Sequence, residues 1–159
     1  MCLPLLRTWV ICARASGAAP LGDRSAAFEI PVRVYYEDTD AGGVVYYANY
    51  LKFLERARTE RFRAAGFEQR GLREEQGVLF AVRHVEIEYL RPALFDDALH
   101  VSAEVTAWRR SALRFHQRVR RAGEWLTAAD VLVVCVDARC WRPCAIPTAV
   151  KAALATPAD

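Results

Sequence analysis

Three carboxylates, Glu37, Asp38 and Asp40, fall within four consecutive positions. A glycine pair, Gly42 and Gly43, follows them, and then three tyrosines, Tyr46, Tyr47 and Tyr50. A carboxylate held just ahead of a helix start can attack a carbonyl carbon or activate water. The unpaired N–H groups of that helix can hold the oxyanion that forms. Glycine supplies the sharp turn and the close approach that a substrate needs. Within the cluster, Asp38 reads as a loop organiser that accepts backbone N–H bonds. Glu37 reads as a solvent-facing or subunit-facing group, and Thr39 as a local cap. Tyr46 and Tyr47 are candidates to line a pocket, whereas Tyr50 belongs to the core. Glu55 is a fallback carboxylate on the helix flank, expected to be engaged by Arg58 or another neighbour on the same helix.

These groups need elements to hold them. Residues 29–36 alternate as a strand, with Val32 and Val34 on one face. From about Tyr47 to Ala65 the period changes, because Tyr50, Phe53, Leu54, Ala57 and Phe62 recur at helical spacing. This predicts an amphipathic helix of about five turns, ended by Gly66. A loop through Gly71 and Gly77 leads to strand-like stretches at 79–90, 98–108, 112–121 and 125–137. In the last of these, VLVVCV is apolar on both faces, as expected of a covered strand. A short helix over 148–155 closes the pattern. One strand, one long helix and four strands joined by short turns predict an α+β domain with an antiparallel sheet.

The whole chain sets further bounds. It has 159 residues, 53% hydrophobic and 26% charged, with net charge +3, which suits one domain with a sizeable core. Five cysteines without framework spacing point to free thiols and a reducing, cytoplasmic setting, with Cys135 in the core. Cys140 and Cys144 are too few to hold zinc, so no metal is expected. Residues 1–27 are expected to be a poorly ordered extension, a cleaved leader being the lesser reading, and residues 28–155 the domain. No stretch suits a membrane span. His84, His100 and His116 fall on polar strand faces, and no G-x-S-x-G elbow occurs. Arg109, Arg110, Arg114, Arg118, Arg120 and Arg121 make a basic hairpin, either a solvated face or a set of forks suited to phosphate. Without an aromatic RNA-binding motif or a zinc module, nucleic acid is not an expected partner.

The stretches 35–60, 85–99 and 111–121, with the 131–137 strand and its proline-containing tail, resemble the hotdog-fold acyl-CoA thioesterases. The match is to the 4-hydroxybenzoyl-CoA thioesterase family, and within it to the YbgC-type enzymes associated with Tol-Pal. The resemblance implies a hotdog fold, a five-stranded antiparallel sheet around one long central helix. It implies hydrolysis of a thioester to a carboxylic acid and coenzyme A, without a cofactor. By position, Asp40 is the implied catalytic carboxylate, and the backbone N–H of Tyr47 the group that polarises the thioester carbonyl. Read from their own chemistry, Gly43, Tyr46, Arg109 and Arg110 are the candidate substrate contacts, the arginines by way of the coenzyme A phosphates. Acyl-CoA is the implied partner, with acyl carrier protein as a second carrier, in a homodimer or homotetramer. Many YbgC-type members carry histidine where this chain has Tyr47. That departure keeps open an alternative, a non-catalytic acyl-binding or scaffold protein tied to lipid synthesis or the cell envelope.

Overall fold

The computed structural model describes residues 28–155. The expectation for residues 1–27 lies outside the described residues. Strand β1 (Glu29–Arg33) is followed by a 3₁₀ turn at Tyr36–Asp38, helix α1 (Asn49–Ala64) and helix α2 (Gln69–Gln76). Strands β2 (Val78–Tyr89), β3 (Ala98–Ser102), β4 (Glu104–Trp108), β5 (Ala112–Arg121) and β6 (Glu124–Asp137) come next, then helix α3 (Thr148–Ala155). The sheet runs β1-β3-β5-β6-β2, with β4 also on β5, and every pairing is antiparallel.

The helical stripe read from the sequence is the buried one. Tyr50, Phe53, Leu54, Ala57 and Phe62 are each at most 2% exposed. They form one core with Leu99, Val101, Leu113, Phe115, Val131, Val133 and Cys135 from one face of the sheet. Val150 and Leu154 of α3 join it, and Arg61 on α1 donates to the Leu154 carbonyl at 3.1 Å. Burying each large apolar side chain contributes about 1.5–3 kcal/mol, so this contact fixes where α1 lies.

Three expectations need correction. The sheet has six strands and the domain three helices, not five strands around one helix. The extra strand comes from a break in 98–108: the Ala103 N–H leaves the ladder and donates to the Phe28 carbonyl at 3.0 Å. A register shift between Val105 and Ala107 then reverses the facing, so Trp108 packs on the core while Ala107 is exposed. The extra helix, α2, lies where a loop was expected. It buries a single residue, Leu72, and Gly77 ends it in the left-handed region, φ 66°, where glycine carries no Cβ penalty.

Gln117 is the one polar residue in the inward row of β5, and it is fully buried. Its amide nitrogen donates to the Leu54 carbonyl at 2.9 Å and the Ser102 carbonyl at 3.1 Å. Its oxygen accepts from Arg58 Nη1 at 2.6 Å. The residue thus pins α1 to the sheet with every polar atom engaged. Gln117→Leu keeps the volume but strips the Arg58 guanidinium of its acceptor, which is expected to cost about 2–4 kcal/mol. Thermal denaturation should show a midpoint lower by roughly 10 °C; an unchanged midpoint would mean the pin contributes nothing.

Candidate active site

The acidic stretch folds into a short hairpin that leans on the start of α1. Thr39 and Val45 bridge across it. The Asp40 N–H donates to the Val44 carbonyl at 2.9 Å, and the Gly43 N–H to the Asp40 carbonyl at 3.0 Å. Gly43 has φ +75°, a conformation that other residues adopt only with strain. The Asp40 carboxylate sits exposed at this corner. Its Oδ1 accepts from the Gly42 N–H at 2.7 Å, an Asx turn. Its Oδ2 has no hydrogen-bond partner among the described residues. A Cβ on Gly42 would stand 3.0 Å from Asp40 Oδ1, so the glycine leaves room for the carboxylate to hold its place.

Asp38 is the organiser the sequence suggested. It is buried, and its Oδ2 accepts from the Tyr35 N–H at 3.0 Å. Its carbonyl accepts from the Tyr46 N–H at 2.8 Å and from Asn49 Nδ2 at 3.0 Å. Asn49, buried at the first position of α1, therefore ties the helix to the acidic loop. Thr39 caps locally, its hydroxyl donating to the Tyr36 carbonyl at 2.9 Å. Tyr50 is core, as expected, and its hydroxyl accepts from the Ala93 N–H at 2.8 Å. Burial pushes the pKa of that hydroxyl up, and the Ala93 N–H partly offsets the rise.

The backbone turns into α1 through Tyr46, Tyr47 and Ala48. The helix begins at Asn49, two residues later than the periodicity predicts. The Tyr47 N–H has no hydrogen-bond partner among the described residues, whereas the Tyr47 carbonyl accepts from the Tyr89 hydroxyl at 2.9 Å. The Tyr46 and Tyr47 rings lie 4.5 Å apart. The neighbouring Tyr47 phenol pushes the Tyr46 pKa up, and the Asp40 charge adds a smaller push. Asp40, Gly43, Tyr46 and Tyr47 are thus gathered at one corner, with an exposed carboxylate, an unused N–H and a pair of phenols.

Arg109 and Arg110 are not gathered there. They lie exposed in the turn before β5. The Asp40 hairpin is tied to the other end of the sheet, through Val45 to Ala93, Val34 to Asp97, and the Asp97–Arg121 ion pair at 2.6 Å. The ten residues of β5 between the two ends span roughly 30 Å. Three of the remaining hairpin arginines have local work. Arg120 binds Glu29 at 2.6 Å, Arg121 binds Asp97 and Glu124, and Arg118 stacks 4.0 Å over Trp125. Glu55 accepts from the Thr59 hydroxyl at 2.7 Å rather than pairing with Arg58. Two positioning residues escaped the sequence reading. Asn49 sits on the helix start as an ordinary polar residue would, and Tyr89 looks like one more member of an alternating strand.

A family model of the thioesterase-like superfamily matches residues 34–154. The chain belongs to this superfamily. It is 50% identical over 126 residues to acyl-CoA thioesterase YbgC of Haemophilus influenzae, a match spanning 79% of this chain and 93% of that protein. Acyl-CoA thioester hydrolase YbgC of Escherichia coli O6:H1 matches at the same identity and coverage. Among solved structures, a probable thioesterase from Bartonella henselae superposes with a TM-score of 0.74 at 33% identity, covering 77% of this chain and 100% of that one. A thioesterase from Thermus thermophilus, complexed with coenzyme A and zinc, gives 0.68 at 28% identity, covering 79% of this chain and 90% of that one. The fold is the hotdog type of the thioesterase superfamily, carried by an antiparallel sheet and its helices.

In this setting Gly42 has a testable role. Gly42→Ala sets a methyl against Asp40 Oδ1 and displaces the carboxylate by a few tenths of an ångström. Misplaced reacting groups lose rate steeply, so kcat should fall about tenfold, with a melting temperature within about 2 °C of the parent. An unchanged kcat would show that the Asx turn does not set the catalytic geometry.

Proposed function

We propose that the protein is an acyl-CoA thioesterase in which Asp40 acts on the thioester carbonyl while the Tyr47 N–H holds its oxygen. The carrying observation is the corner itself. A carboxylate with one oxygen fixed by Gly42 and the other unengaged stands by a helix start whose N–H is unused. In one route Asp40 attacks the carbonyl carbon, the C–S bond breaks, and coenzyme A leaves as thiolate and takes a proton from water. Water then cleaves the mixed anhydride and restores Asp40. In the other route Asp40 takes a proton from water as that water attacks. Both consume one water and yield a carboxylic acid and coenzyme A. Both develop negative charge on the carbonyl oxygen, where a fixed N–H stabilises it most.

The proposal extends to a homodimer built on β2. This strand has 12 residues and, among the described residues, pairs only with β6 and leaves its outer edge bare, with Val82 50% exposed. A long bare edge invites pairing, and pairing with a second copy is isologous and antiparallel. That would set the Arg109–Arg110 end of one protomer on the same side as the Asp40 end of its partner. The two arginines could then reach the phosphates of a coenzyme A bound at the partner's Asp40. By resemblance, the reading further includes acyl carrier protein as a second carrier, assembly of dimers into tetramers, a cytoplasmic location and an association with Tol-Pal. No helix among the described residues is long and apolar enough to cross a membrane.

The test is hydrolysis of an acyl-CoA panel by the native protein and by Asp40→Asn, which should lose on the order of 100-fold or more in kcat. Equal rates would remove Asp40 from the chemistry, and silence on every thioester would favour the acyl-binding scaffold. Tyr47→His should keep kcat within about fivefold while shifting acyl preference, because the oxyanion donor is backbone. A collapse of kcat there would move the role to the tyrosine hydroxyl.

A further inference from the structure

A cavity of about 80 Å³ opens beside the bare edge of β2, on the sheet face that carries α1. Phe62, Phe80 and Phe115 form its apolar wall, and Glu55, Arg58 and Thr59 of α1 its polar wall. Space for a single water needs about 10–15 Å³, so the cavity admits on the order of five non-hydrogen atoms.

Arg58 is the unusual member. Burial pulls its guanidinium pKa down, and the Glu55 charge only partly offsets this. One of its nitrogens is spent on Gln117. Gln117 cannot turn away, because its amide nitrogen is held by two backbone carbonyls. Among the described residues, no carboxylate lies within ion-pair range of Arg58. Arg120 and Arg121, on the same sheet, each meet a carboxylate at 2.6 Å. Arg58 is half-buried; a partly desolvated cation without a counter-charge is costly, and a planar guanidinium is matched best by a carboxylate. Glu55 does not supply it: its Oε1 is taken by Thr59, and its side chain is exposed, where water screens its charge.

The cavity stands away from its own Asp40. The nine steps from Asn49 to Arg58 rise about 14 Å along α1. Antiparallel pairing of two β2 strands sets the Phe80 end of one protomer beside the Tyr89 end of the other, the end that carries the Asp40 hairpin. We infer that the cavity receives the far end of the acyl group whose thioester lies on the partner's Asp40, and that Arg58 selects short acyl groups ending in a carboxylate. This deepens the thioesterase reading and rests on it and on the β2 pairing.

The test measures kcat/KM of the full chain on succinyl-CoA, butyryl-CoA and 4-hydroxybutyryl-CoA, which differ little in length. The native protein should favour succinyl-CoA over butyryl-CoA by about tenfold or more, the range of one charge-assisted contact. Arg58→Met should shrink the succinyl-to-butyryl ratio by about tenfold, and Arg58→Lys should recover part of it. A native preference for butyryl-CoA overturns the inference, and so does a lead for 4-hydroxybutyryl-CoA, which would mean neutral polar recognition. An Arg58→Met loss equal on all three substrates would make Arg58 a structural group and also overturn it. If Arg58→Met does not fold, the native ratio and Arg58→Lys decide. Hydrolysis without the preference sinks this inference alone, whereas a silent panel sinks the thioesterase reading with it.

Discussion

One constraint governs the domain: α1 must bury its apolar stripe along its length while the turn that leads into it, Tyr46 and Tyr47, stays open to solvent. Phe53, Leu54, Ala57 and Phe62 leave the helix no freedom to roll or slide on the sheet. The helix start is thereby fixed in space, and the acidic hairpin is hung from it by a few polar ties. Asn49 holds the Asp38 carbonyl, Tyr89 holds the Tyr47 carbonyl, and Tyr50 holds the Ala93 N–H. The precision of an exposed carboxylate is therefore borrowed from a buried core. An exposed side chain on a free loop would sample many rotamers. Asp40 keeps one oxygen tethered to Gly42, and its other oxygen has no hydrogen-bond partner among the described residues.

The same logic explains what could be read from the sequence. The stripe of α1 was legible because packing against a flat sheet demands a 3.6-residue period. The alternation of β5 was legible because its two faces meet different media. The hairpin was legible as chemistry because glycines, carboxylates and a helix start coincide. What escaped was set by contacts distant in sequence. The bulge near Thr106 that turns Trp108 inward depends on how β4 meets β5. Gln117 looked like one more polar residue until Leu54, Arg58 and Ser102 closed round it. α2 has one buried residue and a glycine in its first turn, too little pattern to mark a helix. Arg109 and Arg110 could be named as phosphate ligands, but their separation from Asp40 follows only from the direction of β5.

That separation bears on why the edge of β2 stays bare. Within one protomer the basic turn and the acidic hairpin occupy opposite ends of the sheet, and the Arg58 cavity also stands away from the hairpin. A long substrate with a charged carrier at one end and an acyl group at the other cannot use all three within one chain. An antiparallel partner reverses the ends, so that each substrate would meet a hairpin from one chain and a turn and cavity from the other. In such a dimer an edge that would otherwise be a liability would gain a reason to remain long, apolar at Val82 and open on its outer side among the described residues.

The resemblance to YbgC-type enzymes leads one to expect histidine at the Tyr47 position, and the geometry limits what a tyrosine there would change. The group placed to hold an oxyanion is a backbone N–H, which tyrosine and histidine supply alike. The Tyr47 ring lies 4.5 Å from the Tyr46 ring and meets the Tyr89 ring edge-on at 6.5 Å. An imidazole, which exchanges protons near neutral pH, thus gives way to a bulky phenol. The exchange removes a proton carrier from the corner and adds an apolar wall to it. A reaction that needs only a carboxylate and water tolerates the first change, and the second acts on which acyl groups fit. On the proposed mechanism, a tyrosine at this position would act on specificity rather than on the bond-breaking step.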